Sequence, residues 1–290
     1  CTNNITVEGF FVLVPRLLHL LKSTTYAAIL SSFSISALLS SSKEPSEILD
    51  EEGKEHLKNF LISSLTLESE LTSPAVRLVG VLASTISGSE LLESWSIMPM
   101  VASLLSSENE EINHLALMAI TAMSAVLPDS PIMLSTIPCL FEKCQDPSFG
   151  FYPLICISNI TVDSSNAAAC VPYIMHLLAY IESTDKISTQ RALVALHRTL
   201  MAPEAMTVID GNEEIIDELL KSVYNLWESE HAQIIFGIIE TLTRIPFACK
   251  KLDEKGVTKI VINKLKYSQI NDPIRPKYIR IKSRLLASQK

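Results

Sequence analysis

The feature that most constrains this chain is a spacing. Gly9, Gly53 and Gly256 each open a similar apolar pattern, and two of them close near-identical pentapeptides, LDEEG (Leu49–Gly53) and LDEKG (Leu252–Gly256). Leu57 and Ile260 stand four residues after the later glycines, and Ile62 and Leu265 stand nine after. Leu13 and Leu18 stand at the same offsets from Gly9. The first interval is 44 positions and the second is 203, close to five units of about 41 residues. A unit of that length holds two or three helices and cannot bury its own apolar faces. It must stack on neighbours.

The intervening units follow the same plan of helix, polar turn and longer helix. They read SIMPMVASLLSSENEEINHLALMAITAMSAVLP, IPCLFEKCQDPSFGFYPLICISNITV, VPYIMHLLAYIESTDKISTQRALVALHRTLM and EEIIDELLKSVYNLWESEHAQIIFGIIETLTRIP. Apolar residues recur at helical spacing, as at Leu115, Met118, Ala119 and Ala122. Caps and breakers mark the turns, at SENEE from Ser107, DPS from Asp146, STDK from Ser183 and NDP from Asn271. Small residues recur within the longer helices: Gly80 with Ala83, Ala116 with Ala119, Ala192 with Ala195, and Gly237. They predict close helix–helix approach.

The segments GFFVLVPRLLHLLKS, IMPMVASLLSSENEEINHLALMAITAMS, QDPSFGFYPLICISNITVDSSNAAACV and GVTKIVINKLKYSQINDP resemble the armadillo repeat family. In that family a short first helix and a glycine precede a second helix, and a turn precedes a long third helix. The resemblance covers nearly the whole chain. It implies an all-α, right-handed superhelix of armadillo or HEAT type, with six or seven repeats and no β-sheet. As one domain, 1–290, the repeats fall near 9–52, 53–95, 96–136, 137–170, 171–212, 213–255 and 256–290.

The resemblance also implies a function, a non-catalytic scaffold that binds a peptide or protein along a concave groove. The alternatives are a regulatory segment of a larger enzyme, such as a kinase or ubiquitin ligase, and a chaperone cofactor or small-GTPase regulator. In the family an asparagine on the third helix faces the groove, and ICISNIT places Asn159 there. An amide suits that task because it donates and accepts together. The same position elsewhere reads Ala37, Ile86, Ala122, Arg198 and Arg244, with no continuous asparagine ladder and no matching row of tryptophans.

Charge points to the other candidate binding residues. The chain carries a net charge of −8, yet positions 244–290 hold thirteen Lys/Arg against three Asp/Glu. Arg191 and Arg198 are two helical turns apart and share a face, and Lys277, Arg280 and Arg284 form a second stripe at helical spacing. With Arg244 between them, these six side chains are expected to line one end of the groove and to favour acidic or phosphorylated segments. An equal reading makes them a solubilising cap on the terminal repeat.

Other chemistry is not encoded. Phosphate-binding, dinucleotide-binding, zinc-protease and nucleophile-elbow motifs are missing from the sequence. No cofactor is expected. Six histidines are scattered, without a second pair of ligands for His176 and Cys170. His197, beside Arg198, is expected to be exposed, as a ligand contact or surface residue rather than a catalyst. Asp50, Glu51, Glu52 and Glu55 read as an acidic helix start. The longest apolar run, Ala167–Ile181, is interrupted by Pro172 and His176 and is too short to span a membrane. Nucleic acid is disfavoured, because the basic end has few aromatics beyond Tyr267 and Tyr278. The chain opens on Cys1, which reads as the start of a fragment or processed chain.

The six cysteines show irregular spacing and no C-x-x-C, which reads as buried free thiols. That places the chain in the cytoplasm or nucleus and makes the sequons at Asn4 and Asn159 accidental. Cys139 and Cys144 fall on one short helix with diverging side chains. Thiol titration of the denatured, unreduced chain is expected to count six; a stable count of two or four contradicts this.

Overall fold

The computed structural model describes residues 7–40, 49–66, 68–183 and 185–288, with side chains from Leu13 onward. Among them are eighteen α-helices and no strand. They divide into two compact units, one ending at Cys156 and the other starting at Ile157.

The first unit holds α1 (Val7–Leu20), α2 (Thr25–Ser40), α3 (Glu51–Thr66), α4 (Thr72–Leu82), α5 (Ile86–Ser94), α6 (Met98–Ser103), α7 (Glu110–Val126) and α8 (Pro131–Cys144). The unit boundary falls inside α9 (Tyr152–Ile160). Here α2, α4 and α7 stack on one another, and α3 and α6 pack behind them. The second unit repeats a three-helix set three times, the first helix of each set being the shortest. The sets are α10 (Ser164–Ala169), α11 (Ile174–Ile181) and α12 (Lys186–Met201); α13 (Pro203–Ile209), α14 (Glu213–Leu226) and α15 (Ala232–Leu242); and α16 (Pro246–Glu254), α17 (Val257–Tyr267) and α18 (Arg275–Ala287). The last helix of each set stacks on the next, α12 on α15 and α15 on α18.

Stacking explains the composition of these helices. A helix with neighbours on both sides and a partner behind has little surface for water, so its apolar stripe widens. In α15, Ile235, Phe236, Ile238, Ile239 and Leu242 are all buried, as are Ala75, Val76, Leu78, Val79 and Leu82 in α4. Phe236 meets the Tyr278 ring edge-on, with centroids 4.6 Å apart.

The turns are built as their sequences suggest. Asn109 caps α7 through the N–H groups of Glu111 and Ile112. Asp163 caps α10 through Ser165 and Asn166, and Asp185 caps α12 through Ser188. Each cap satisfies donors that a helix start leaves unpaired, worth about 1 kcal/mol. The acidic run at Asp50 is also a helix start: its carboxylate accepts from the Gly53 N–H at 2.8 Å.

The pentapeptides that set the period are not equivalent. LDEKG closes α16, and Gly256 takes a left-handed conformation (φ 82°) that separates it from α17. LDEEG instead opens α3, with Gly53 inside the helix. Gly9 likewise lies inside α1. Their likeness comes from acidic residues, which suit a helix start in one case and precede a glycine stop in the other. Cys139, Cys144, Cys156, Cys170 and Cys249 are free thiols, and Cys1 lies outside the described residues. Burial raises the Cys144 and Cys156 thiols to about 12.

Two glycines make contrasting predictions. A Cβ on Gly80 would lie 3.9 Å from Ala119, an ordinary contact, whereas one on Gly88 would lie 2.2 Å from the Leu82 carbonyl oxygen. Gly80→Ala is expected to be neutral or stabilising by up to about 1 kcal/mol. Gly88→Ala is expected to destabilise by about 1–3 kcal/mol. Urea midpoints decide both, and the reverse order contradicts the packing described.

Candidate functional site

Among the stacked helices of the second unit, α12 and α18 each carry a row of basic residues. On α12, Ala192, Leu193, Ala195, Leu196, Thr199 and Leu200 point into the core. Helical spacing then leaves Arg191, Val194, Arg198 and Met201 on a row facing outward. Gln233 and Glu240 form the matching row of α15, with the buried Gly237 between them. Lys277, Arg280 and Arg284 form that of α18, where Tyr278, Ile281 and Leu285 are buried instead.

Contacts join these rows across neighbouring helices. Arg280 grips the Glu240 carboxylate through two bonds, Nε to Oε1 at 2.5 Å and Nη2 to Oε2 at 3.2 Å. Such a fork is charge-assisted and fixes orientation. Arg284 Nη1 donates to the Glu240 carbonyl at 3.0 Å and lies 3.4 Å from Thr243 Oγ1. It thereby satisfies the end of α15, where the last carbonyls lack helical partners and favour a cation. Lys277 Nζ donates to the Gln233 carbonyl at 3.1 Å. The Arg280 hydrogen bond holds the Glu240 carboxyl below its ordinary range, with Arg280, Arg284 and Lys277 charges adding to it.

The six expected cations therefore separate. Arg280 and Arg284 tie α18 to α15 and are not free charges in a groove. Arg244 is not on a third helix: α15 stops at Leu242, and Arg244 is an exposed residue of the turn before α16. Pro246 at the α16 start disfavours helical backbone at Ile245 and sets that turn. Ile86 departs in the same way, opening α5 after α4 has ended. Arg191, Arg198 and Lys277 have no carboxylate partner among the described residues. Asn159 is half-buried on the last turn of α9.

His197 also corrects an expectation. It is half-buried, and its ring lies over Gly237, where a Cβ would stand 2.6 Å from Nε2. Burial pushes its pKa down, Lys277 and Arg198 push it further, and Glu240 opposes them. It is a neutral packing group whose space the missing side chain at position 237 provides.

Glu240, Gln233 and Ser158 are hydrogen-bond partners of these cations that single-residue reasoning missed. The period could have found them. Arg280 meets Glu240, and Arg198 meets Ser158, at a separation of 40; Lys277 to Gln233 and Arg284 to Glu240 are 44 apart. A cation one repeat after an acceptor is the signal.

In the first unit, the face of α2, α4 and α7 is apolar. Phe33, Val76, Leu115 and Met118 line a trough there. Arg77 at its side pairs with Glu111 at 2.9 Å. Among the described residues no cluster suits a metal ion, and no helix is long and apolar enough to cross a membrane.

An engineered protein aligns with 96% of this chain and 68% of its own, at 19% identity and a TM-score of 0.71. A designed armadillo repeat protein in complex with the peptide (KR)4 aligns with 79% of this chain and 98% of its own, at 17% identity and a TM-score of 0.63. Another designed armadillo repeat protein covers 94% and 99%, at 16% identity and a TM-score of 0.59. The fold is that of an armadillo repeat protein. No family model and no curated protein matches the chain. In armadillo terms α12, α15 and α18 are third helices, and the basic face lies on the ladder they form.

The Glu240 hub predicts an acid-dependent stability. A carboxyl held low stabilises the fold above the ordinary glutamate range near 4.3, and that contribution is lost as pH falls through its depressed value. At pH 7 Glu240→Gln is expected to cost about 1 kcal/mol, modest because Arg280 is half-exposed. Denaturation midpoints of the two proteins should converge in acid; a gap that stays constant from pH 7 downward contradicts the hub.

Proposed function

We propose that this chain is a non-catalytic binding scaffold, an array of six or seven armadillo repeats that holds an acidic peptide or protein segment along its third helices. The observation that carries this is the positive charge of Arg191, Arg198 and Lys277 on stacked third helices, none of them ion-paired with a carboxylate among the described residues. Half-buried like charges without carboxylate partners raise the local potential and attract an opposite charge. Asn159, at the end of α9, supplies an amide beside this surface. Arg280 and Arg284 serve as the frame that fixes α18 against α15, and Arg244 lies at the edge.

The armadillo fold supports an extended ligand, since the designed neighbour is in complex with the peptide (KR)4. That ligand is cationic. The present face has the opposite polarity to one suited to such a peptide, so the partner segment is anionic. A solubilising cap explains less, because Arg191 and Arg198 lie on α12, ahead of six further helices.

Binding of a poly-glutamate peptide to the whole chain tests this. Affinity should fall as salt rises, and a double reversal, Arg198→Glu with Lys277→Glu, should lower it at least tenfold while the helical circular dichroism is retained. Full binding by the folded double variant, or equal binding of poly-lysine, refutes the reading.

A further inference from the structure

Two arginines of α12 behave in a way the scaffold reading does not require. Arg191 and Arg198 are seven residues apart, about 10 Å along the helix axis, yet both side chains reach the same residue. Arg191 Nη1 lies 3.4 Å from Ser158 Oγ, and Arg198 Nη1 donates to the Ser158 carbonyl. Ser158 is 1% exposed, so the two guanidinium groups meet at one buried point near the end of α9. Like charges brought together repel, more so where water is partly excluded. No carboxylate among the described residues relieves them, and each uses only its Nη1 toward the protein. The remaining N–H donors of both make no hydrogen bond to the described residues.

A largely apolar pocket adjoins Arg198. Arg198 forms one wall, Val162, Ala167, Met201, Ala202 and Pro203 supply the apolar surface, and Thr161 and Ser164 complete the lining. Val162 and Met201 are 61% and 55% exposed. Large apolar side chains at such exposure, beside half-buried cations, suit a ligand that is anionic at one point and apolar at the next.

We propose that this is an anchor site for a phosphorylated serine or threonine of a partner chain, with an apolar side chain one or two residues away filling the pocket. The proposal rests on the scaffold reading and adds the ligand's chemistry. A carboxylate has one charge and two oxygens and fills one guanidinium fork. A phosphoryl group carries close to two charges and three acceptor oxygens, and so matches two converging arginines. Arginine is the residue suited to this, because its planar fork binds such oxyanions bidentately. An extended chain advances about 3.3 Å per residue, so a side chain one or two residues along reaches the neighbouring pocket. Burial and Arg191 together lower the Arg198 pKa, consistent with a site short of negative charge.

The experiment uses the whole chain, immobilised, and three degenerate peptide pools with a fixed central phosphoserine, serine or glutamate. The phosphoserine pool is expected to be retained at least tenfold over serine and severalfold over glutamate. Sequencing of the bound peptides should show Leu, Ile, Met or Phe enriched one or two residues from the phosphoserine. Arg191→Ala and Arg198→Ala should each reduce retention about tenfold, and Met201→Glu should abolish the apolar enrichment while phosphate dependence remains. Should an arginine variant fail to fold, phenyl phosphate added to the native chain should displace the phosphoserine pool where phenylacetate does not. Equal retention of the glutamate and phosphoserine pools overturns this inference and leaves the scaffold reading standing. Retention unchanged in folded Arg191 and Arg198 variants overturns the site, and apolar enrichment unchanged in Met201→Glu overturns the pocket. If no pool is retained, the inference fails, and poly-glutamate binding then judges the scaffold reading separately.

Discussion

Within each unit the structure depends on long helices stacking side against side. A helix so placed must bury apolar side chains over most of its circumference, as α15 does, and still bring its backbone close to the next. Small residues meet the second demand: Gly80 faces Ala119, and Gly237 accommodates the His197 ring. The polar residues then have one remaining strip, the outward row of the stack. Charge on the ladder is confined to that strip because burial leaves it nowhere else.

This confinement explains why the basic side chains of the second unit differ in role although they look alike in sequence. Those of α18 lie against α15, where the end of a helix and the Glu240 carboxylate provide acceptors. Arg280 and Arg284 are consumed there. On α12 the acceptor is Ser158, a neutral residue that can orient two guanidinium groups and cannot neutralise either. The α12 arginines thus have no ion pair among the described residues, whereas Arg280 of α18 is paired with Glu240.

The fold was legible because helical periodicity, caps and small residues agree at each unit. Asn109, Asp163 and Asp185 cap the turns their sequences mark. The anchor of the period was not sound, since Gly53 and Gly256 sit in different places and only the interval they span was informative. The site was half legible. Helical spacing put Arg191 and Arg198 on one face. It could not show that α15 ends before Arg244, because that depends on Pro246 and on packing. Nor could it show that Glu240 neutralises Arg280, because the pair is 40 residues apart and forms only when the helices stack.

The central claim is that the ladder of α12, α15 and α18 is the binding surface. Hydrogen–deuterium exchange of the whole chain, with and without saturating poly-glutamate peptide, tests it most directly. The account predicts slowed exchange in the last turn of α9, in α12 and in the first turns of α15 and α18, while α11, α14 and α17 are unchanged. Protection confined to α11, α14 or α17, with α12 unaffected by a bound peptide, would contradict it.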